Sequence, residues 1–208
     1  MKEVIAIVEK HKNSPVKETI DSKMVEFEDL GKKNSNEIFK ELCFCFMTAN
    51  FSAHGGIKIQ NEIGDGFLHL SEKELAKKLA ELGHRFPNAR AKYIVEAQPL
   101  KDTIKETLQE FKDEIKMREW IVKNIKGIGM KEASHFLRNI GYKNLAIIDF
   151  HILDLLVNQN LIERPKTLTT KKYMEVENIL RKTSEKTRIP LGELDLYLWY
   201  EETGKVLK

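Results

Sequence analysis

Ile125-Lys126-Gly127-Ile128-Gly129-Met130-Lys131, a helical run on to Asn139, and then Ile147-Ile148-Asp149-Phe150-His151 make up the stretch from which the rest of the chain can be read. Two glycines one residue apart let the backbone turn tightly and approach a ligand, because neither carries a Cβ. The helix that follows begins with free N–H groups and a partial positive charge, which favour an anion, and Lys126 and Lys131 add to that preference. The spacing excludes two rivals. A Walker A loop needs four residues between its glycines and then Lys-Ser/Thr, whereas one residue separates Gly127 from Gly129 and Glu132 follows Lys131. A dinucleotide-binding turn needs a strand in front of it, but Trp120, Ile121, Asn124 and Ile125 recur at helical intervals. The unit is helix, hairpin, helix, a shape suited to the phosphate backbone of DNA.

Outward from the hairpin, 208 residues with 41% hydrophobic and 32% charged content can bury a core, as one large domain or two small ones sharing a cleft. No apolar run approaches the ~20 residues of a membrane span. The N-terminus lacks the apolar run and small-residue cleavage site of a secretory signal, so an intracellular protein without membrane attachment is expected. Net charge is only +3, yet between Lys112 and Lys143 eight Lys/Arg face four acids, so basic charge gathers around the hairpin. The two cysteines, Cys43 and Cys45, point to different sides of a helix and are expected as small buried residues rather than a disulfide or metal site.

Elsewhere the periodicity is helical. Ser14-Pro15 opens a helix over Val16, Ile20, Met24 and Phe27 that Gly31 is expected to stop, and Asn34 with Glu37 opens another that is apolar nearly all round. The small and polar run Thr48 to Gly56 breaks that pattern. Capping boxes are expected at Ser71–Glu74 and at Thr103–Glu106. Pro165 and Pro190 precede the last two helices. With no repeat and no strand alternation, the fold should be all-α.

Lys126 to Asn139, Ala146 to Asp149, and Asp195-Leu196-Tyr197-Leu198-Trp199-Tyr200 together resemble the archaeal-type 8-oxoguanine DNA glycosylase/AP lyases, within the helix-hairpin-helix Gly/Pro-Asp superfamily of base-excision enzymes. The resemblance runs from Leu42 to Lys208. It implies two helical subdomains flanking a DNA-binding cleft: residues 41–146, ending in the hairpin, and residues 1–40 with 147–208. It also implies a monomeric enzyme that takes damaged duplex DNA, removes 8-oxoguanine and then cuts the strand. The iron–sulfur loop of related endonuclease III-type enzymes needs four cysteines, which this chain lacks. No cofactor is expected, apart from a monovalent cation that the superfamily holds on main-chain carbonyls matching Lys123, Ile125 and Ile128.

Breaking an N-glycosidic bond leaves C1′ electron-poor, so the chemistry needs a nucleophile beside C1′ and a negative charge to steady the oxocarbenium-like state. By resemblance these are Lys131 and Asp149. On spacing alone, a phosphate contact for Lys131 and an N-cap for Asp149 are the better readings, and the family pattern reverses that order. Gly127, Gly129 and His151 are expected on the DNA backbone, with Phe150 a departure from the basic residue often found in relatives. Asn50 and Phe51 are expected to fill the gap left by an extruded base, against a plainer reading of cap and core. His54 is expected to be structural. For the base pocket the resemblance implies Trp199 as the stacking ring and Lys208; Asp195 either meets a base edge or caps a helix, and Phe86 either faces a base or plugs the core. The alternatives are a glycosylase for another oxidised base and a non-catalytic DNA-binding module.

Overall fold

Helix-forming runs occupy most of the chain in the computed structural model, which describes residues 1–208 and contains no strand. The helices are α1 (Lys2–Lys12), α2 (Val16–Lys32), α3 (Ser35–Thr48), α4 (Ala53–Ile63), α5 (Glu72–Glu81), α6 (Pro87–Ala97), α7 (Ile104–Gln109), α8 (Glu114–Asn124), α9 (Met130–Asn139), α10 (Phe150–Asn158), α11 (Thr170–Thr187) and α12 (Leu191–Thr203). The all-α expectation holds.

Helix α3 is the axis of the first core. Asn34 accepts the Glu37 N–H at 3.1 Å and starts it, and every side chain from Leu42 to Met47 is withdrawn from solvent. Around it pack Leu75 and Leu79 of α5, Ala91 and Ile94 of α6, Ile121 of α8 and Phe136 and Leu137 of α9. Removing each such large side chain from water contributes roughly 1.5–3 kcal/mol. Cys43 and Cys45 lie within this core as free thiols. A second core takes Val4 and Val8 of α1, Ile20 and Phe27 of α2, Leu155 of α10, Val176 and Leu180 of α11 and Leu194 and Leu198 of α12.

The chain passes from the first core to the second between Leu145 and Ala146. At the other end the change falls between Phe27 and Ile38, ahead of residue 41, because Ile38 and Phe39 share α3 with the rest of the first core. A buried ion pair bridges the halves: Arg118 of α8 donates to Glu177 of α11 at 2.5 Å and to Ser134 of α9 at 3.1 Å. Tyr173 of α11 donates its hydroxyl to the Ala146 carbonyl at 2.7 Å and accepts the Ile148 N–H at 3.2 Å. The crossover strand of chain that leads to Asp149 is therefore tied down on both sides.

Two local expectations are corrected. Gly31 does not stop α2, which continues to Lys32; a Cβ there would collide with the carbonyl oxygen of Ile140, so the glycine lets α2 press against the end of α9. The box at Thr103–Glu106 does not form either. Ser35, at the start of α3, takes over the cap by accepting the Lys105 N–H at 3.0 Å and donating to Glu106 at 2.8 Å, so tertiary packing replaces a local bond. The Ser71–Glu74 box is present.

Candidate active site and DNA-facing cleft

The turn between α8 and α9 uses its two glycines differently. Gly127 has φ +90°, and the space its Cβ would fill is taken by the ring of Tyr93 from α6. Its freedom serves the turn and the packing beneath it. Gly129 is extended, and a Cβ there would meet only the mobile Glu132 carboxylate. It is the N-cap of α9 and offers no side chain, so the N–H groups of Met130, Lys131 and Glu132 donate to nothing in the protein. Three free donors and the positive end of a helix dipole make an anion seat facing outward.

Lys131, in that first turn, points into a cavity of about 870 Å³. Asp149 lines the same cavity from the crossover between the two cores. It is the N-cap of α10, its Oδ1 accepting the Ile152 N–H at 3.0 Å, so the plainer reading of Asp149 is correct as far as it goes. Capping and facing the cavity are compatible because the bond occupies one carboxylate oxygen and fixes the other. His151, in the first turn of α10, and Trp199, of α12, also line the cavity, their rings edge-on at 4.7 Å. The Trp199 indole N–H is buried and has no partner.

Asp195 of α12 completes that wall. It caps nothing; it accepts from Arg138 of α9 at 3.2 Å. Burial, opposed by Arg138 and reinforced by Asp149, pushes its carboxyl up to about 7. His135 lies one turn along α9 from Lys131, on the same face, and is buried with neither ring nitrogen hydrogen-bonded. Burial first, then the cations Arg138, Lys131 and Lys208, hold its pKa well below the usual imidazole value, so the ring is neutral at pH 7.

On the opposite lip lies the corner between α3 and α4. Asn50 is exposed and has φ +58°, an uncommon conformation for a non-glycine residue. Ser52, not Asn50, caps α4 by accepting the Gly55 N–H. Phe51 is half-buried against the first core, its ring 4.4 Å from that of His84. His84 bonds to the Met47 carbonyl at 3.0 Å through Nε2, while its Nδ1 accepts the Phe86 N–H, and Arg90 donates to the Ala49 carbonyl at 2.6 Å. The corner is thus held from behind. His54 is exposed at the edge of the cleft.

Phe86 does not line the cavity, nor does it plug the core. It is 38% exposed, with the guanidinium groups of Arg85 and Arg90 within 6 Å of its ring. The reason is His84, whose two ring bonds take the buried place in this loop and turn the next side chains outward.

Lys208 reaches the cavity, but its ammonium turns inward. It donates to Glu41 at 2.7 Å and to Gln60 at 2.5 Å, and lies 4.3 Å over the Phe44 ring. Glu41, His135 and Arg138 were not singled out from sequence. Glu41 had a signal, a lone acid inside the apolar run of α3; the other two look like ordinary helical polar residues.

The carbonyls of Lys123, Ile125 and Ile128 sit where α8 ends and the hairpin turns. Those of Lys123 and Ile128 accept no hydrogen bond, while that of Ile125 accepts the Ile128 N–H at 3.3 Å. Free carbonyls at a helix C-terminus fit a weakly held monovalent cation, and no cluster of His, Cys, Asp or Glu suited to another metal is present.

A family model described as 8-oxoguanine DNA glycosylase matches residues 20–189. An 8-oxoguanine DNA glycosylase/AP lyase of Korarchaeum cryptofilum is 57% identical over 198 residues, covering 95% of this chain and 94% of the relative. The Methanocaldococcus jannaschii protein of the same name is 55% identical over 206 residues, 99% of each. The crystal structure of the M. jannaschii glycosylase/lyase in complex with 15mer DNA containing 8-oxoguanine superimposes with a TM-score of 0.96, over 99% of this chain and 100% of that one.

Proposed function

Because the chain belongs to the 8-oxoguanine DNA glycosylase family, we propose that it excises 8-oxoguanine from duplex DNA and then cleaves the strand at the abasic site, with Lys131 as nucleophile and Asp149 as the stabilising charge. The observation that carries the residue assignment is that the two side chains, eighteen positions apart and on different elements, open into one cavity. A damaged base is reached only by extrusion from the helix. The free N–H groups at the start of α9 and the first turn of α10 with His151 hold the phosphates on one side. Asn50 and Phe51 occupy the gap in the duplex on the other.

In the chemical step the Nζ of Lys131 attacks through its lone pair and forms a bond to C1′ as the bond from C1′ to the base nitrogen breaks. The departing base keeps the electron pair and is protonated, and the Asp149 carboxylate steadies the positive charge on the sugar. The bond from C1′ to the ring oxygen O4′ then breaks, a proton passing from the lysine nitrogen to O4′, and the open sugar is a Schiff base. Removal of the C2′ proton then expels the 3′ phosphate, and water releases the lysine. Trp199 supplies a flat face for the base, with Asp195 and Lys208 beside it. A monovalent cation on the carbonyls of Lys123, Ile125 and Ile128 would place positive charge toward a phosphate oxygen. The amine and carboxylate need no other cofactor, and we place the protein inside the cell, acting on DNA as a monomer. No helix is long and apolar enough to cross a membrane.

Borohydride reduction during turnover of an 8-oxoguanine duplex should trap a covalent protein–DNA adduct. Lys131→Gln should abolish both adduct and strand cleavage. An adduct that survives this change would assign the nucleophile elsewhere.

A further inference from the structure

Glu41 is a carboxylate only 2% exposed on a helix otherwise given over to the first core. A buried, unpaired carboxylate costs several kcal/mol, so its partners matter. Its Oε1 accepts from Asn139 at 2.7 Å, and its Oε2 accepts from Gln60 at 3.1 Å and from Lys208 at 2.7 Å. Lys208 is the sole cation on it. Gln60 is bonded to both and is itself anchored on the Lys40 carbonyl at 3.0 Å. The network continues toward the site, since Asn139 accepts from Arg138 at 2.8 Å and Arg138 donates to Asp195. The segment after α12 carries no helix or sheet bonds of its own, so this ion pair fixes its last residue against the cavity wall.

We propose that Glu41 is a positioning residue for base recognition: its buried pair with Lys208 holds the Lys205–Lys208 segment against the base pocket, and the Lys208 ammonium serves as an anchor rather than as a contact to the base. This rests on the reading of that segment as part of the base pocket. The ammonium already has two protein acceptors within 2.7 Å and an aromatic face, so little of it is left to offer a ligand.

The test separates base excision from strand cleavage at a pre-formed abasic site, which needs Lys131 and Asp149 but no base. Glu41→Gln should lower single-turnover excision of 8-oxoguanine by about tenfold or more while abasic-site cleavage stays within about twofold. Lys208→Met should lower excision to a similar extent, Lys208→Arg should retain more of it, and the double variant E41Q/K208M should be no worse than the weaker single one. Should E41Q fail to fold, the comparison of K208M with K208R decides whether the cation is the anchor. Excision that survives E41Q but falls in K208M overturns the anchor alone. Excision unchanged in K208M removes Lys208 from the base pocket and the proposal with it, and equal loss of both activities in E41Q means Glu41 acts only on the fold.

Discussion

Asp195 shows how a single side chain registers the pocket it belongs to. Its carboxyl is shifted up to about 7, burial outweighing the neighbouring Arg138. In the unfolded chain the same group titrates near 3.9. The folded state therefore binds one more proton than the unfolded state between these values, so stability contributed by this group is present below about pH 4 and is lost as pH rises to about 7. Asp195→Asn should flatten the decline in urea midpoint over that window, whatever it does to absolute stability. A variant whose midpoint falls with pH as steeply as the parent would assign the titration to another group. The same residue-scale logic covers Cys43 and Cys45, whose thiols burial pushes far up, leaving them protonated and unreactive.

Helices meet here at distances that glycine permits. Gly31 lies in the last turn of α2, one residue before its end, and a methyl group there would overlap the backbone of Ile140. Gly31→Ala should cost at least about 2 kcal/mol, a fall of roughly 4–8 °C in melting temperature for a chain this long. Gly83→Ala, with φ +80° but no atom near the new methyl, should lose only about 1–2 kcal/mol. A Gly31→Ala protein that melts with the parent would mean that α2 and α9 can separate freely. At the same scale, the capping of α7 by Ser35 shows that a local cap motif yields when a better-placed acceptor arrives from another helix.

Across the whole molecule, the two cores are joined by Arg118 and Glu177, both without solvent contact. Arg118 has no other carboxylate and would be stranded without Glu177, whereas Glu177 also holds Arg181 at 3.0 Å. Glu177→Met should destabilise by about 3–5 kcal/mol in a denaturant titration, because it leaves Arg118 buried without a carboxylate, whereas R118M/E177M should recover a substantial part of that loss by removing the stranded ion as well. A double variant as unstable as the sum of the singles would show that the pair does not act as a unit. The bridge matters to function because Ser134, which also takes a bond from Arg118, lies between Lys131 and Arg138 on α9. The helix that carries Lys131 is thereby locked to the half that carries Asp149.

The amino-acid sequence by itself determined the helices, the hairpin and the family, and through the family resemblance it singled out Lys131 and Asp149, which the structure brings to one cavity. These are written locally, in apolar spacing, glycine placement and a motif of fixed length. It also placed Trp199 and Lys208, because their positions follow the family pattern. Only the tertiary structure decided that α2 runs through Gly31, that Gly127 makes room for Tyr93, that Phe86 stays exposed beside Arg85 and Arg90 instead of filling the core and that the Lys208 ammonium faces Glu41. Each of those depends on which distant residue occupies the neighbouring space, and for Glu41 and Lys208 that neighbour is 167 positions away. Periodicity records which face of a helix is apolar; it carries no record of what that face will meet.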